Sequence, residues 1–94
     1  MRIDKYLKLT RLIKRRTVAK ELLDRGMFKI NDRVAKPSTE VNEGDIIFLP
    51  LGRHHLTVRV LKVVSYAKKE DTHELYEVIK DEIVNDSYDE PKEE

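Results

Sequence analysis

The sequence predicts an α+β domain in which two short helices precede a small set of strands. Its 94 residues are enough for one small domain. Apolar and small residues recur three and four positions apart in residues 3–10 and again in residues 18–23, which is the period of an amphipathic helix. Between residues 27 and 66, apolar residues alternate with polar ones or form short β-branched runs, which is typical of strands. A helical pattern followed by a strand pattern indicates the α+β class.

The two helices are predicted to form a hairpin joined by a basic elbow. The core-facing stripe of the first helix is Ile3, Tyr6, Leu7 and Thr10. The second helix is expected to begin at the N-cap residue Thr17 and to end before Gly26, which suits the C′ position. The apolar side of this helix comprises Val18, Ala19, Leu22 and Leu23.

Three strands are predicted between residues 27 and 66. Met27–Ile30 is followed by Asn31 and Asp32, which favour a tight turn. After a second turn at residues 41–44, Asp45–Leu49 is a short apolar strand. Residues 50–55 are assigned to a loop, and Leu56–Tyr66 is the longest β-like run. These strands complete the predicted sheet.

The last third of the chain supports two interpretations. Leu75, Val78, Ile79 and Glu82 have helical spacing, so residues 67–84 are predicted to be a C-terminal helical extension. A period-2 interpretation, with Tyr76, Val78 and Lys80 on one face, competes with that helix. Residues 85–94 are acidic and contain a proline, so a disordered tail is expected there.

The charges are strongly segregated along the chain, although the net charge is only +1. Residues 1–36 contain 12 Lys and Arg against 4 Asp and Glu, a balance of +8. Residues 70–94 contain 2 basic and 11 acidic residues, a balance of −9. This distribution predicts a polyanion-binding face at one end and an acidic appendage at the other.

The basic elbow is the strongest candidate site, and nucleic-acid phosphate is its expected ligand. Helices hold cations in a fixed row, and the planar arginine fork suits phosphate. A helix N-terminus at Thr17 would add backbone N–H donors. The alternative is a solvated surface or pairing with nearby acids, but 4 acidic residues cannot neutralise 12 basic ones. The candidate RNA-binding residues are Arg2, Lys5, Lys8, Arg11, Lys14, Arg15, Arg16, Thr17 and Lys20.

Enzymatic and metal sites are not expected. The chain has no phosphate-binding glycine loop, nucleophile elbow or metalloprotease spacing, and it has no cysteine. His54 and His55 are interpreted as solvated loop residues, since adjacent side chains diverge and no third ligand lies nearby. Asp45 is interpreted as a turn residue that hydrogen-bonds the backbone. No cofactor and no membrane segment are expected, and the cytoplasm is the expected location.

A small DNA-binding regulator is the alternative to an RNA-binding protein, because a basic helix also enters a major groove. Two features argue against it. The basic residues line an elbow rather than one exposed recognition helix, and the second helix has no Asn or Gln to read bases.

A set of residues resembles the RNA-binding domain named after small-subunit ribosomal protein S-four. The matching residues are Arg2-Ile3-Asp4-Lys5, Arg11, Lys14-Arg15-Arg16-Thr17, Ala19, Gly26, Ile30-Asn31, Lys36 and Gly44-Asp45. The set is specific although each member alone is weak, and it covers roughly residues 1–66. The resemblance implies an αL fold, in which a helical hairpin packs on a small, bent, mostly antiparallel sheet.

The chain up to about residue 82 resembles the RqcP (YabO) family of bacterial ribosome-associated quality control, a relative of the small heat-shock-induced ribosome-associated protein. This resemblance is closest across residues 7–21 and, with Glu74-Leu75-Tyr76-Glu77, reaches about residue 82. It implies a non-catalytic factor that binds large ribosomal subunits carrying stalled peptidyl-tRNA. The implied contacts are to large-subunit rRNA and to tRNA, through Arg2 and Arg16. The implied task is to support alanine tailing by a factor of the RqcH type.

Overall fold

The structure is a computed structural model that describes residues 1–84. Two helices, α1 (Ile3–Leu9) and α2 (Arg16–Asp24), precede the sheet. The strands are β1 (Lys29–Ile30), β2 (Arg33–Val34), β3 (Ile46–Leu51), β4 (His54–Val60) and β5 (Tyr76–Ile83), and a 3-10 helix (Lys69–Glu74) precedes β5. The α+β class and the αL arrangement of hairpin on sheet are thereby confirmed. The tail predicted at residues 85–94 lies outside the described residues.

α1 buries its predicted stripe completely, whereas α2 buries only part of its own, since Leu22 is half-buried and the exposed fraction of Val18 is 39%. All four residues of the α1 stripe are buried, and Ala19 and Leu23 of α2 are fully buried. Gly26 has a φ of +75°, and the amides of Gly26 and Met27 donate to the carbonyls of Leu23 and Leu22. This is the Schellman pattern, so the predicted C′ position of Gly26 is confirmed.

The start of α2 differs from the prediction. Thr17 is not the N-cap, because α2 begins at Arg16 and the N-cap is Arg15. No side chain caps this helix, and its first turn contains no acidic residue. The elbow therefore extends into α2 with the amides of its first turn uncapped.

The strands form one antiparallel sheet with the order β2-β1-β3-β4-β5. β1 is shorter than expected, and β2 adds a strand to the three predicted between residues 27 and 66. The predicted turn after β1 is confirmed, since Asn31 and Asp32 have φ values of 51° and 67°. Asp45 accepts from the Asn31 side chain at 3.0 Å and from the Asn42 amide at 2.7 Å. Its interpretation as a turn residue is confirmed.

The core lies between one face of the sheet and the two helices. Ile47 and Leu49 of β3 and Val58 and Val60 of β4 alternate with more exposed neighbours and are buried in the same cluster as the α1 stripe. The sequence predicts this alternation for β4, whereas β3 is apolar at every position and its alternating burial comes from the pleat of the strand. The core fixes the helical hairpin on the sheet.

The C-terminal helix predicted for residues 67–84 is wrong. This segment forms the 3-10 helix and β5, and β5 pairs with β4 along its whole length, including Val78 opposite Val58. A bulge lies at Ile79, between the pairs Thr57–Lys80 and Val58–Val78. The helix fails because it would need a core face to bury, whereas the exposed fractions of Val78, Ile79 and Ile83 are 47–66%. As a strand, the segment instead provides hydrogen-bond partners for the backbone groups along the open edge of β4.

The two neighbouring histidines are also placed differently from the prediction. His54 and His55 belong to β4 rather than to a loop. His54 Nδ1 lies 3.1 Å from an Asp81 carboxylate oxygen on β5, and the His55 ring contacts the Phe48 ring edge to face, with centroids 5.6 Å apart. Both side chains therefore contribute to strand pairing and sheet packing.

The carbonyl of Leu75 connects the C-terminal segment to the rest of the domain. It accepts hydrogen bonds from the buried Tyr6 hydroxyl at 2.7 Å and from the amides of Leu61 and Lys62 at 2.8 and 3.2 Å. Burial, together with the nearby Tyr76 hydroxyl, raises the pKa of Tyr6 well above its usual value of about 10. Tyr6 consequently remains a hydrogen-bond donor, and α1 is fixed to the chain segment before β5.

Candidate nucleic-acid interface

Arg2 is positioned by the chain segment that runs beside it. The amide of Ile3 donates to the Thr39 carbonyl at 2.8 Å, and Arg2 forms an antiparallel bridge with Glu40. Arg2 is also the N-cap of α1, with an extended backbone. These bonds fix its backbone at the entrance to the helix.

Arg16 is brought next to Arg2 by a carboxylate that both side chains share. Arg2 Nη2 lies 3.2 Å from Asp4 Oδ2, and Arg16 Nη2 lies 3.4 Å from Asp4 Oδ1. The exposed fraction of the Asp4 side chain is 0%, whereas those of Arg2 and Arg16 are 50% and 44%. We call these three residues the arginine clamp. It links the first turns of α1 and α2, although 12 positions separate Asp4 and Arg16 in the sequence.

The chemistry of the clamp suits an anion at its outer side. A buried carboxylate needs cationic hydrogen-bond partners, which the two arginines supply. Each guanidinium uses one terminal nitrogen for Asp4 and retains other N–H donors, since the group presents several in a planar fork. Arg16 of the basic elbow is therefore not simply solvated. Its orientation is fixed by Asp4 while nearly half of its surface faces solvent.

The other predicted site residues lie on the same helical hairpin as the clamp and form no ion pair among residues 1–84. They are exposed, and among residues 1–84 no carboxylate oxygen lies within 4.0 Å of any of their ammonium or guanidinium nitrogens. They are Lys5 and Lys8 on α1, Arg11, Lys14 and Arg15 in the elbow, and Thr17 and Lys20 on α2. Together with the clamp they form what we call the basic surface. Its cations are available to an external polyanion.

In the elbow, Arg11 has a left-handed backbone conformation. Arg11 has a φ of 63°, and its amide donates to the Lys8 carbonyl at 3.1 Å, which closes α1. Glycine is the usual residue at this position, because a Cβ makes the conformation less favourable. The helical hairpin therefore includes a charged side chain where backbone geometry alone favours glycine. Non-glycine residues in this conformation are concentrated at functional sites.

The uncapped end of α2 adds a second kind of anion donor. The Arg15 carbonyl accepts the Ala19 amide at 3.1 Å, so the amides of Arg16, Thr17 and Val18 precede the first intrahelical bond. These amides carry the positive end of the helix dipole. A phosphate at this end would receive the backbone N–H groups and the adjacent cationic side chains together.

Two features of this site were missed from the sequence. The charge pattern suggests Asp4 only as one of the acids that could pair with the basic residues. Its burial was not foreseen, although it directly follows Arg2 and the core residue Ile3 in the sequence. The left-handed Arg11 has no sequence signal, since only Gly or Asn would have suggested it.

The described residues give no support for a metal site or for a membrane-spanning helix. Within residues 1–84 no group of three His, Asp or Glu side chains is arranged to hold a metal ion. The helices in the same part of the chain are all too short or too polar to cross a membrane.

Known proteins are similar to this chain in sequence and in fold. The family model of the S4 domain matches residues 1–47, which contain the basic surface. A Listeria monocytogenes protein named RQC P-site tRNA stabilizing factor is 45% identical over 87 residues, covering 93% of this chain and 95% of its own. A Streptococcus pneumoniae protein of the same name is also 45% identical, over 93% and 99% of the two chains.

A solved structure matches the fold as well as the sequence. Heat Shock Protein 15 of Vibrio cholerae superimposes with a TM-score of 0.78 and 29% identity, covering 83% of this chain and 80% of the other. Matches of this identity and coverage, together with the S4-domain match, place the chain in a family. The chain belongs to the S4-domain proteins and, among them, to the family of RQC P-site tRNA stabilizing factors.

Proposed function

We propose that this protein is a non-catalytic RNA-binding factor of ribosome-associated quality control that binds large ribosomal subunits carrying stalled peptidyl-tRNA. The observation that carries the proposal is the arginine clamp, in which buried Asp4 holds two half-exposed guanidiniums side by side. The names of the relatives, which refer to P-site tRNA, support tRNA as one of its ligands.

The basic surface is suited to contact two RNA backbones. Arg2 and Arg16 supply oriented forks, and the remaining cations supply charge on α1, the elbow and α2. We infer that peptidyl-tRNA and large-subunit rRNA bind this surface together. By bridging them, the protein would keep the peptidyl-tRNA in place while a factor of the RqcH type adds alanine to the nascent chain. This task places the protein in the cytoplasm.

The clamp is proposed to act by preorganisation. A free arginine side chain loses rotamer entropy when it binds phosphate, and both arginines have already lost part of it to Asp4. Asp4 itself does not contact RNA in this proposal, because its side chain is fully buried. It is a positioning residue with two opposing effects. Its negative charge repels RNA at long range, whereas its hydrogen bonds to the two arginines favour RNA binding by orienting them.

The charge of Asp4 and its hydrogen bonds are expected to affect RNA binding in opposite directions, so one substitution can distinguish the two effects. Asp4→Asn removes one negative charge, so electrostatics alone would strengthen RNA binding, whereas loss of the clamp would weaken it. We expect affinity for large subunits bearing peptidyl-tRNA to fall by about tenfold, the scale of one charge-assisted hydrogen bond. Sedimentation with purified subunits at fixed salt measures it, and a melting curve confirms that the variant is folded.

The matched control is Glu21→Gln. Glu21 is an exposed carboxylate on the same helical hairpin, paired with Arg25 at 3.0 Å, and its amide variant makes the same charge change outside the clamp. Binding by this variant should be unchanged or slightly stronger. If Asp4→Asn binds as tightly as Glu21→Gln, the clamp does not position RNA contacts. The same pair of variants in a reconstituted alanine-tailing reaction tests the proposed task, with reduced tailing expected for Asp4→Asn alone.

A further inference from the structure

An open cleft of about 280 Å³ lies between the chain that follows β4 and the 3-10 helix. Leu75 contributes to its apolar lining, and Tyr66 lines it together with carboxylates and lysines. The volume is near the lower end of the range of about 300–1,000 Å³ for small-molecule pockets, which suits one planar ring system. Every residue of this cleft lies beyond residue 47, where the S4-domain match ends.

Tyr66 is unusual among the tyrosines of the described chain. Its exposed fraction is 72%, whereas Tyr6 is fully buried and Tyr76 is partly buried in the core. An aromatic face that remains in water at the edge of a cleft is a stacking platform, and nucleobases stack on such faces. The Tyr66 ring is therefore the feature that selects a planar ligand.

The two carboxylates of the cleft have different environments. Glu74 Oε1 lies 3.8 Å from Lys62 Nζ, so its charge is partly neutralised. Within residues 1–84 no cation lies within 4.0 Å of the Asp71 carboxylate, and the Asp71 amide donates to the Lys68 carbonyl at 2.9 Å, which fixes its backbone. Asp71 lines the cleft, is exposed, and therefore offers both oxygens of its carboxylate as acceptors to a ligand there.

We propose that this cleft binds a guanine base of a single-stranded RNA segment, stacked on Tyr66 and read by Asp71. Guanine has two adjacent N–H donors on its Watson–Crick edge, N1–H and the N2 amino group, which match the two oxygens of a carboxylate. Adenine, cytosine and uracil each present an acceptor at one of these positions, which the carboxylate would repel. The carboxylates also disfavour a bare phosphate, while Lys68 at the margin of the cleft suits the phosphate attached to the bound nucleotide.

The cleft adjoins the helical hairpin. Leu75, which lines it, accepts a hydrogen bond from Tyr6 of α1, the helix that also carries Lys5 and Lys8. An RNA bound on the basic surface therefore has a second, base-reading contact within the same small domain. The inference extends the proposed RNA binding and depends on it only for the source of the guanine.

The test uses the full chain and mononucleotides, so it does not require a ribosome. Guanosine monophosphate, adenosine monophosphate and inorganic phosphate are titrated separately while backbone amide resonances are followed by NMR. We expect the guanine nucleotide to shift the amides of residues 66–75 at concentrations where the other two do not. Tyr66→Ala should weaken this binding by about fivefold or more, the lower limit for loss of a base–aromatic stack, and Tyr66→Phe should retain it.

Asp71→Asn should remove the preference for guanine over adenine. Glu70→Gln is its matched control, because Glu70 is an exposed carboxylate of the same 3-10 helix that does not line the cleft. Equal shifts from inorganic phosphate and the guanine nucleotide, or a guanine preference that survives Asp71→Asn, would overturn the proposal. Failure of the RNA-binding function would appear instead in the Asp4→Asn sedimentation experiment, which leaves the cleft intact.

Discussion

At the scale of single residues, the proposed function makes Asp4 a link between stability and RNA recognition. A fully buried carboxylate is costly without cationic partners, so the fold itself requires Arg2 and Arg16 to lie where they do. The same requirement leaves two oriented guanidiniums at the surface. If these guanidiniums bind RNA as proposed, the folding free energy of the hairpin maintains the recognition geometry, and we expect a change at either arginine to affect both stability and binding.

Arg16→Ala should lower the free energy of unfolding by about 1–2 kcal/mol. The loss is smaller than that of a buried charge left without any partner, since Arg2 still bonds to Asp4. Arg16→Lys should recover part of the stability, because an ammonium group keeps the charge but loses the fork. Urea unfolding at neutral pH measures all three proteins.

Arg15→Ala is the control for this series. Arg15 is the adjacent exposed arginine, and among residues 1–84 no carboxylate lies within 4.0 Å of it. Its free energy of unfolding should change by no more than about 0.5 kcal/mol, as for most surface substitutions. Equal stability of the two alanine variants would show that Arg16 is not held by Asp4.

Features of single residues that depend on local spacing could be predicted from the sequence, whereas those that depend on long-range contacts could not. The buried stripe of Ile3, Tyr6 and Leu7 follows from local helical spacing, and the structure confirms it. The contact between Arg16 and Asp4 depends on how two helices meet, which periodicity does not specify. Charge pattern therefore identified the basic surface, whereas the arrangement of its central residues needed the tertiary structure.

At the scale of elements, the start of α2 departs from the usual design of a helix. Most helices begin with a Ser, Thr, Asp or Asn cap and place acidic residues in the first turn. α2 has Arg15 at the cap, Arg16 and Thr17 next, and no acidic residue there. Such an end is less stable alone and more favourable beside a bound anion.

Arg15→Asp should therefore have opposite effects on folding and binding. The new cap should raise the free energy of unfolding by about 1 kcal/mol, since its carboxylate accepts from the first-turn amides. RNA binding should weaken, because the cap occupies the donors and reverses a charge. Thermal melting and sedimentation with large subunits measure the two effects.

Arg15→Ser separates the two contributions. Serine is also a good cap but adds no negative charge, so it should give most of the gain in stability with a smaller loss of RNA affinity. If Arg15→Asp and Arg15→Ser bind RNA as tightly as the unaltered chain, the α2 N-terminus is not part of the interface.

The C-terminal segment shows where prediction of elements reached its limit. Residues 75–83 fit a helical period and a strand period about equally well, and local spacing favours neither strongly. The deciding interaction is non-local, because β4 would otherwise leave its backbone donors and acceptors unpaired along one edge. For β3 a short apolar run, and for β4 a local alternation of apolar and polar residues, made the prediction correct.

At the scale of the whole molecule, the fold keeps opposite charges on different elements. Basic residues dominate the helical hairpin, whereas the 3-10 helix and β5 carry Glu70, Asp71, Glu74, Glu77, Asp81 and Glu82. A molecule with this asymmetry is oriented by the field of RNA before contact, with the hairpin foremost. The acidic elements thereby disfavour binding in the wrong orientation.

Residues 85–94 add a net charge of −4 to this asymmetry, and their removal gives the last prediction. Deleting Asn85–Glu94 should leave thermal unfolding cooperative, because the core cluster is formed by residues 3–60. Nonspecific RNA affinity should rise about two- to threefold at low salt, since less negative charge is brought near the phosphates.

The slope of log affinity against log salt should be almost unchanged by this deletion, at roughly −3 to −5 for about four to six neutralised phosphates. The slope counts phosphates contacted by the basic surface, and the deletion removes none of those contacts. Filter binding of a structured RNA across a salt series measures both quantities, with the tail's acidic residues changed to amides as the length-matched control. A non-cooperative melt of the deletion variant would show that the tail is structural, and a slope near zero in the unaltered chain would contradict phosphate binding.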